Sequence, residues 1–243
     1  MSRPSPLRIA VLINTPSDDY DFWTDVRQAW QESFANVAPC AEVDFYDPVF
    51  ERAFPDSSRY DLIVLSGGKA DASSSDPWVL GVLDFVRTVV RDSPKTKILG
   101  VCWGHQAVAR ALGGEVGAIP TGPIAAIQDI ALTDAGKNFL TFAIGTGSYR
   151  APEFHVREVT RPAPGFIHLA SNHECFINEA NTVLSFQAHP EISNRLAQKM
   201  LLADDKEYNG NSTAEQLKAE VQKLDQPTDG MKLLKRVIQW LDE

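Results

Sequence analysis

A cysteine flanked by glycines is the feature of this sequence best suited to chemistry. Cys102 lies between Gly100 and Gly104, where an apolar run ends and a helical pattern from Ala107 to Leu112 begins. Because a Cβ at either glycine would crowd the chain, the spacing predicts a sharp turn from a strand into a helix. Such a turn strains the backbone, pushes the cysteine side chain out to solvent and places its sulfur at a helix N-terminus, where the dipole favours the thiolate. Cys102 is therefore predicted to be a nucleophile.

A thiolate nucleophile needs a base, and His189 is the best candidate in the sequence. It follows the apolar run from Val183 to Phe186, so we expect it at the carboxyl edge of a sheet, where open α/β sheets place their sites. Glu191 is two residues further on and could accept a hydrogen bond from the other imidazole nitrogen, which orients the ring. A base of this kind contributes about 10²–10⁴-fold in rate.

The tripeptide Ser66-Gly67-Gly68 follows another apolar run and supplies candidate donors for a developing oxyanion. We expect the backbone N–H groups of Gly68 and Trp103 to form the oxyanion hole, where the loss of one donor costs about 10²–10³ in kcat. Each piece also has an ordinary structural explanation: a core cysteine, a helix start at His189-Pro190-Glu191, a tight turn at the glycines. Their occurrence together, each at a strand end, favours a cysteine hydrolase-type site.

The other histidines and cysteines carry less chemistry. His105 is expected to pack or cap beside the turn, and His168 to be structural within an apolar strand. His173 and Cys175 flank Glu174, but the chain lacks spaced pairs of the Cys-x-x-Cys or His-x-x-x-His type. We therefore expect no metal site and no cofactor.

The elements that must position these residues alternate between strands and helices in the first half of the chain. Strands are predicted at Leu7 to Ile13, Ala41 to Tyr46, Tyr60 to Leu65 and Ile98 to Val101, and helices at Asp21 to Phe34 and from Pro77 to Val90. This order predicts an α/β fold with an open, mostly parallel sheet flanked by helices.

The second half has a different pattern, which predicts an added antiparallel or mixed β portion. Short β-like pieces are predicted at Ile124 to Leu132, His155 to Val159, Ile167 to Ala170 and Val183 to Phe186. Three helices are predicted after them, at Ser193 to Ala203, Thr213 to Leu224 and Met231 to Leu241. We interpret residues 1–243 as one domain, with a core at about 7–203 and a C-terminal helical extension at 204–243 that packs on the core or, alternatively, binds a partner.

Composition excludes several classes of function. The 243 residues carry 23 Lys and Arg against 32 Asp and Glu, a net charge of −9, which argues against nucleic acid or an anionic membrane as the main partner. No apolar run approaches the roughly 20 residues of a membrane span, and the start of the sequence lacks a secretion signal. Three cysteines cannot all pair with each other, so reduced thiols and a cytoplasmic location are expected.

These motifs together resemble the class I, triad-type glutamine amidotransferase family. Its pattern G-x-C-x-G-x-Q corresponds to Gly100 through Gln106, and its downstream H-P-E corresponds to His189-Pro190-Glu191. The resemblance runs from about Leu7 to Ala203 and is strongest to stand-alone, GMP-synthase-like members, including γ-glutamyl peptidases. It implies a flavodoxin-like sheet and a small-molecule γ-glutamyl substrate.

The resemblance also implies roles for individual residues. Cys102 would attack a γ-glutamyl carbonyl and form a thioester, His189 would protonate the leaving amine and then activate water, and Gln106 would help hold the glutamyl group. The chain departs from the family where Lys69, in place of the usual proline, follows the glycine turn.

A second departure concerns the segment that holds the substrate's α-substituents. Typical members have a polar residue, His and Gly where this chain has Phe154, His155 and Val156. Val156 is expected to reshape that pocket, which puts free glutamine in doubt as the substrate. His155 could still line the pocket, and Arg157 could bind a carboxylate.

The leading hypothesis is a stand-alone cysteine hydrolase of γ-glutamyl amide bonds, acting on glutamine, a γ-glutamyl peptide or a conjugate. One alternative is a glutaminase subunit that delivers ammonia to a separate synthase or ligase partner. Another is a non-catalytic binding protein on the same fold. An isomerase or lyase that uses the thiolate without hydrolysis is also compatible with the sequence.

Overall fold

The computed structural model describes residues 5–16, 20–203, 207–210 and 212–243; residues 204–206 and 211 of the predicted extension lie outside that range. The strands are β1 (Arg8–Leu12), β2 (Glu42–Tyr46), β3 (Leu62–Leu65), β4 (Lys97–Val101), β5 (Glu115–Ala118), β6 (Ile124–Ala131), β7 (Ser148–His155), β8 (Arg157–Arg161), β9 (Phe166–His168), β10 (Cys175–Asn178) and β11 (Val183–Phe186). The α-helices are α1 (Tyr20–Val37), α2 (Pro77–Asp92), α3 (Trp103–Ala111), α4 (Asp134–Phe139), α5 (Asn194–Ala203), α6 (Ala214–Lys223) and α7 (Gly230–Trp240).

Seven of the strands form one sheet, in the order β2-β1-β3-β4-β11-β10-β9. The first five are parallel, β10 is antiparallel to β11, and β9 is antiparallel to β10, so only β10 runs against the other strands of this sheet. The prediction of a mostly parallel sheet is therefore confirmed. Strands β4 and β11 pair directly, with Val101 opposite Phe186, so the residues that follow them emerge at the same carboxyl edge.

Both faces of the sheet are covered, which explains why its central strands are continuous apolar runs. On one face, Trp30 of α1 and Trp240 of α7 pack against Val11 and Val64 in one cluster. On the other face, the apolar side of α2 packs with α3 against the remaining side chains of the same strands. The sheet is thus a rigid support for loops at its edge.

The C-terminal helices also turn their apolar sides toward the chain itself. Leu224, which caps α6, is buried with Leu201 of α5, and Leu234 and Val237 of α7 are buried in the cluster that contains α1. Lys97 of β4 donates a hydrogen bond to the backbone oxygen of Trp240 at 2.6 Å. No helix in the described ranges is long and apolar enough to cross a membrane.

The predicted strand from His155 to Val159 is divided between two strands, because the chain changes partner within it. Strand β7 ends at His155 after pairing with β6, and β8 begins at Arg157 and pairs with β5. Val156 lies between them, and its carbonyl accepts a hydrogen bond from the Ile119 N–H at 3.2 Å. Phe154 and Val156 are both apolar and two residues apart, as in a continuous strand, so the local pattern does not mark the break.

Candidate active site

The turn after β4 holds Cys102 in a strained conformation. Cys102 has φ 50° and ψ −104°, a region that residues other than glycine rarely adopt. Its N–H donates to the Phe186 carbonyl at 2.8 Å, and its own carbonyl accepts from the Gln106 N–H at 3.1 Å. These bonds tie the turn to β11 on one side and to α3 on the other, and fix the cysteine at the first turn of the helix.

The two flanking glycines are required by close approaches of the backbone. A Cβ on Gly104 would lie 2.2 Å from the Leu65 carbonyl oxygen at the end of β3, and a Cβ on Gly100 would lie 2.6 Å from the Gly104 carbonyl oxygen. Both separations are well below van der Waals contact. The glycines therefore allow α3 to begin immediately above the strand ends.

The prediction that the cysteine side chain points out to solvent is wrong. Cys102 is only 4% exposed, and it lies in the wall of a cavity of about 560 Å³. Its Sγ is 3.5 Å from the carbonyl oxygen of Phe154 in β7. The turn does lift the residue above the sheet edge, but β7, α1 and α5 surround that edge, so the sulfur lies within a pocket.

His189 lies next to this sulfur. A Cβ built on Gly67 would be 2.7 Å from His189 Cε1 and 3.6 Å from Cys102 Cβ, so the glycine leaves room for the imidazole beside the cysteine. His189 Nδ1 donates to Glu191 Oε1 at 2.9 Å, and the backbone N–H of His189 donates to the Pro152 carbonyl at 2.8 Å. The structure thus brings the three predicted residues together, with both His189 and Glu191 buried.

The charges of this group favour a protonated imidazole. Burial alone would lower the pKa of His189, but the Cys102 sulfur and the Glu191 carboxylate, each charged and hydrogen-bonded to the ring, raise it well above its usual value. Since Nδ1 is engaged by Glu191, Nε2 is the nitrogen left to face the sulfur. The arrangement can hold a thiolate and an imidazolium as a pair.

The two predicted oxyanion donors also line the cavity. Within the described part of the chain, the N–H groups of Gly68 and Trp103 donate to no other residue. A Cβ on Gly68 would lie 2.2 Å from the backbone oxygen of Asn14, which explains the glycine. Asn14 itself donates to the Ser66 carbonyl at 3.0 Å and so ties the loop after β1 to this turn, a contact that the sequence did not reveal.

Gln106 lines the cavity, but its side-chain nitrogen is engaged by the protein. It donates to the Arg157 carbonyl at 2.7 Å and to Gln187 Oε1 at 3.1 Å. His155 is buried and donates through Nδ1 to the same Arg157 carbonyl at 2.9 Å. Both side chains therefore support the junction between β7 and β8, and a substrate-binding role for either stays a prediction.

The remaining predicted residues lie around the same cavity. Val156 and Arg157 form part of its lining, and the Arg157 guanidinium pairs with Asp71 at 2.5 Å. Lys69 also lines it, with its ammonium 4.4 Å from the centre of the Phe22 ring. Binding of a carboxylate by Arg157 would have to compete with Asp71.

The sequence reasoning missed an acidic pair near this site, formed by the buried Glu153 and the partly buried Glu174. His155 Nε2 lies 3.4 Å from Glu153 Oε2. Burial and the neighbouring Glu153 carboxyl group raise the pKa of Glu174 to about 10. Glu153 and His155 are two positions apart, as are His189 and Glu191, but with the glutamate first. This repeated spacing was the signal in the sequence that could have indicated a second histidine–glutamate pair.

His105 and Cys175 have structural surroundings. His105 is fully buried, stacks on Phe176 with the ring centres 5.2 Å apart, and bonds to Ser185 Oγ at 2.9 Å. Burial lowers its pKa to about 3. Cys175 is buried in β10, and burial raises the pKa of its thiol well above the usual value. Among the described residues, no group of three or more His, Cys, Asp or Glu side chains could hold a metal ion.

The sequence is similar to those of known proteins. Residues 21–207 match the family model described as glutamine amidotransferase class-I. The chain is 63% identical, over the full length of both proteins, to the glutamine amidotransferase-like protein chyE of Penicillium rubens. It is 27% identical over 154 residues, 61% of each chain, to γ-glutamyl peptidase 2 of Arabidopsis thaliana.

Solved structures share the fold. A crystal structure of a glutamine amidotransferase from Thermotoga maritima superposes with a TM-score of 0.76 at 17% identity, covering 98% of this chain and 99% of the other. The family match covers most of the residues, including the turn at Cys102 and the segment with His189 and Glu191. The chain belongs to the class I glutamine amidotransferase family.

Proposed function

We propose that this protein hydrolyses γ-glutamyl amide bonds through a thioester on Cys102. The observation that carries the proposal is the contact between the Cys102 sulfur and the His189 imidazole at the wall of a cavity, with Glu191 on the far ring nitrogen. A cysteine nucleophile, a histidine and an orienting carboxylate are the parts that acyl transfer requires. The family and the relatives named γ-glutamyl peptidases support the choice of acyl group.

The first half of the reaction forms the acyl-enzyme. The Cys102 thiolate attacks the γ-carbonyl carbon of the substrate, and the carbonyl oxygen gains the negative charge. The N–H groups of Gly68 and Trp103 have no other acceptor among the described residues and can donate to that oxygen. The His189 imidazolium then gives its proton to the departing nitrogen, the C–N bond breaks, and the amine leaves a γ-glutamyl thioester behind.

The second half restores the enzyme. Neutral His189 takes a proton from water, and the resulting hydroxide adds to the thioester carbonyl. The C–S bond breaks, glutamate leaves, and the thiolate and imidazolium are regenerated. Glu191 holds the Nδ1–H side of the ring through both halves, so Nε2 stays directed at the reacting atoms.

The test is glutamate release from a panel of γ-glutamyl amides by purified protein. The wild type is expected to release glutamate from at least one of them, and Cys102→Ala is expected to release none above background. The matched control is Cys40→Ala, because Cys40 is an exposed cysteine outside the cavity, and this variant should keep full activity. Equal turnover by wild type and Cys102→Ala would refute the proposal.

A further inference from the structure

The cavity has two chemically different parts. Its floor, at the sheet edge, carries the reacting sulfur and the imidazole, with Gln106 and Arg157 beside them. Its upper walls are apolar and come from two helices that are far apart in sequence. The apolar side chains are Phe22 and Val26 of α1, Ile192 just before α5, and Leu196 and Met200 of α5. The lining also contains the exposed charged residues Asp21, Lys199 and Glu207, together with Asp25.

The two helices are tied together across the cavity. Lys199 of α5 pairs with Asp25 of α1, with Nζ 2.6 Å from Oδ2. Phe154 and Tyr208 add an edge-to-face aromatic contact, with ring centres 5.7 Å apart, at the α5 side. The ammonium and the carboxylate neutralise each other. The other side chains of α1 and α5 that line the gap beside this ion pair are chiefly apolar.

The size of the cavity does not suit a single free amino acid. Its volume of about 560 Å³ falls in the range of about 300–1,000 Å³ typical of sites for drug-sized ligands. Glutamine would occupy the floor, and its leaving group, ammonia, would touch neither helix. The apolar walls would then stay in contact with water, so glutamine would gain no binding free energy from them.

We infer that the site takes γ-glutamyl amides whose leaving amine carries a bulky, uncharged apolar group, and that this group lies between α1 and α5. This inference rests on the proposed function, because it assumes that the γ-glutamyl carbonyl is at Cys102. The walls then bind the leaving-group half of the substrate. Binding energy from this remote part of the substrate raises kcat/KM for the bulky amide over the primary amide.

The test compares three substrates that share the γ-glutamyl group: glutamine, γ-glutamyl methylamide and γ-glutamyl benzylamide. The benzylamide is expected to have a kcat/KM at least tenfold above that of the methylamide, because its ring is withdrawn from water between the helices. Equal or lower kcat/KM for the benzylamide would overturn the inference and leave the proposed function standing. Turnover of none of the γ-glutamyl amides would refute the proposed function instead.

Two variants locate the apolar group. Leu196→Gln and Met200→Gln place polar amides in the wall; both residues are partly exposed, so the fold should tolerate the change. Each is expected to lower the ratio of benzylamide to methylamide kcat/KM by about three- to tenfold. The matched control is Leu202→Gln, on the same helix but outside the cavity and 58% exposed, which should leave the ratio unchanged. A ratio unaffected by both wall variants would overturn the placement between α1 and α5.

Discussion

Among the residues that the structure describes, two buried pairs of histidine and glutamate lie near Cys102, and one of the two is arranged as a catalytic base. His189 bonds to Glu191 at 2.9 Å, and His155 lies 3.4 Å from Glu153. In each pair the two residues are separated by two positions, and all four side chains are buried. By residue type, spacing and burial the pairs are nearly equivalent.

The pairs differ in what the second ring nitrogen contacts. In His189 that nitrogen faces the Cys102 sulfur, which can give up a proton and take it back. In His155 the second nitrogen, Nδ1, bonds to the Arg157 carbonyl. A carbonyl oxygen only accepts, so this nitrogen must keep its hydrogen and cannot serve as a base. The third group therefore decides whether such a pair is suited to chemistry or to structure.

The largest effect on kcat is expected when each of the two histidines is replaced by glutamine in turn. His189→Gln removes the proton carrier and should lower kcat by about 10²–10⁴-fold. His155→Gln should lower kcat by less than about tenfold, because a glutamine can still donate to a backbone carbonyl. Steady-state kinetics on the best γ-glutamyl amide measure both. A larger loss in kcat from His155→Gln than from His189→Gln would reverse the assignment of the two pairs.

Replacing each glutamate should also lower kcat more at Glu191 than at Glu153, but the difference should be smaller than that between the two histidine variants. Glu191→Gln keeps the shape of the side chain but removes the charge that stabilises the imidazolium, and we expect a loss in kcat of at least about tenfold. Glu153→Gln should leave kcat within a few-fold of wild type. The pH profile of kcat provides the second measurement, since only Glu191→Gln is expected to move it. A profile that shifts equally in both variants would contradict the distinction.

Glu174, the acidic neighbour of the His155–Glu153 pair, is expected to affect the free energy of unfolding. The folded pKa of Glu174, about 10, is above its ordinary value of 4.5, so its folded form binds more protons between these limits. Wild-type stability therefore falls as pH rises above about 4.5. Glu174→Gln mimics the neutral acid and should gain about 1–3 kcal/mol in free energy of unfolding at pH 8.

Urea denaturation at several pH values measures this difference. The advantage of Glu174→Gln should shrink as the pH is lowered through 4.5, because Glu174 then becomes protonated in the unfolded state as well. Glu179→Gln is a matched control, because it removes an exposed carboxylate directly after β10 and should leave the free energy of unfolding unchanged at each pH. If the gain in free energy of unfolding of Glu174→Gln did not depend on pH, the protonation of Glu174 in the folded protein would not be the cause of that gain.

Much of the fold could be predicted from the sequence, because the central strands are buried on both faces and read as apolar runs. Strands β3, β4 and β11 each run into a motif with chemistry, so Gly68, Cys102 and His189 could be placed at one sheet edge. The burial of Cys102 could not be predicted. It depends on α1 and α5, which are distant in sequence and meet only through contacts such as Asp25 with Lys199.

The approach of Glu174 to Glu153 escaped prediction for a related reason. Glu153 lies on β7 of a two-stranded sheet and Glu174 directly precedes β10 of the main sheet, and their approach follows from how β7 packs over the main sheet. The break at Val156 likewise depends on which strand each neighbour pairs with. Local sequence patterns were enough to locate the motifs, whereas the residues that contact those motifs depend on tertiary packing.

The most direct test of the central claim is to trap the acyl-enzyme. Protein mixed with a saturating γ-glutamyl amide is quenched in acid within the first turnovers, digested, and mapped by mass spectrometry. We predict a γ-glutamyl adduct on the peptide that contains Cys102, and none on the peptides that contain Cys40 or Cys175. Glutamate release without any adduct on Cys102, or with the adduct on another cysteine, would contradict the mechanism.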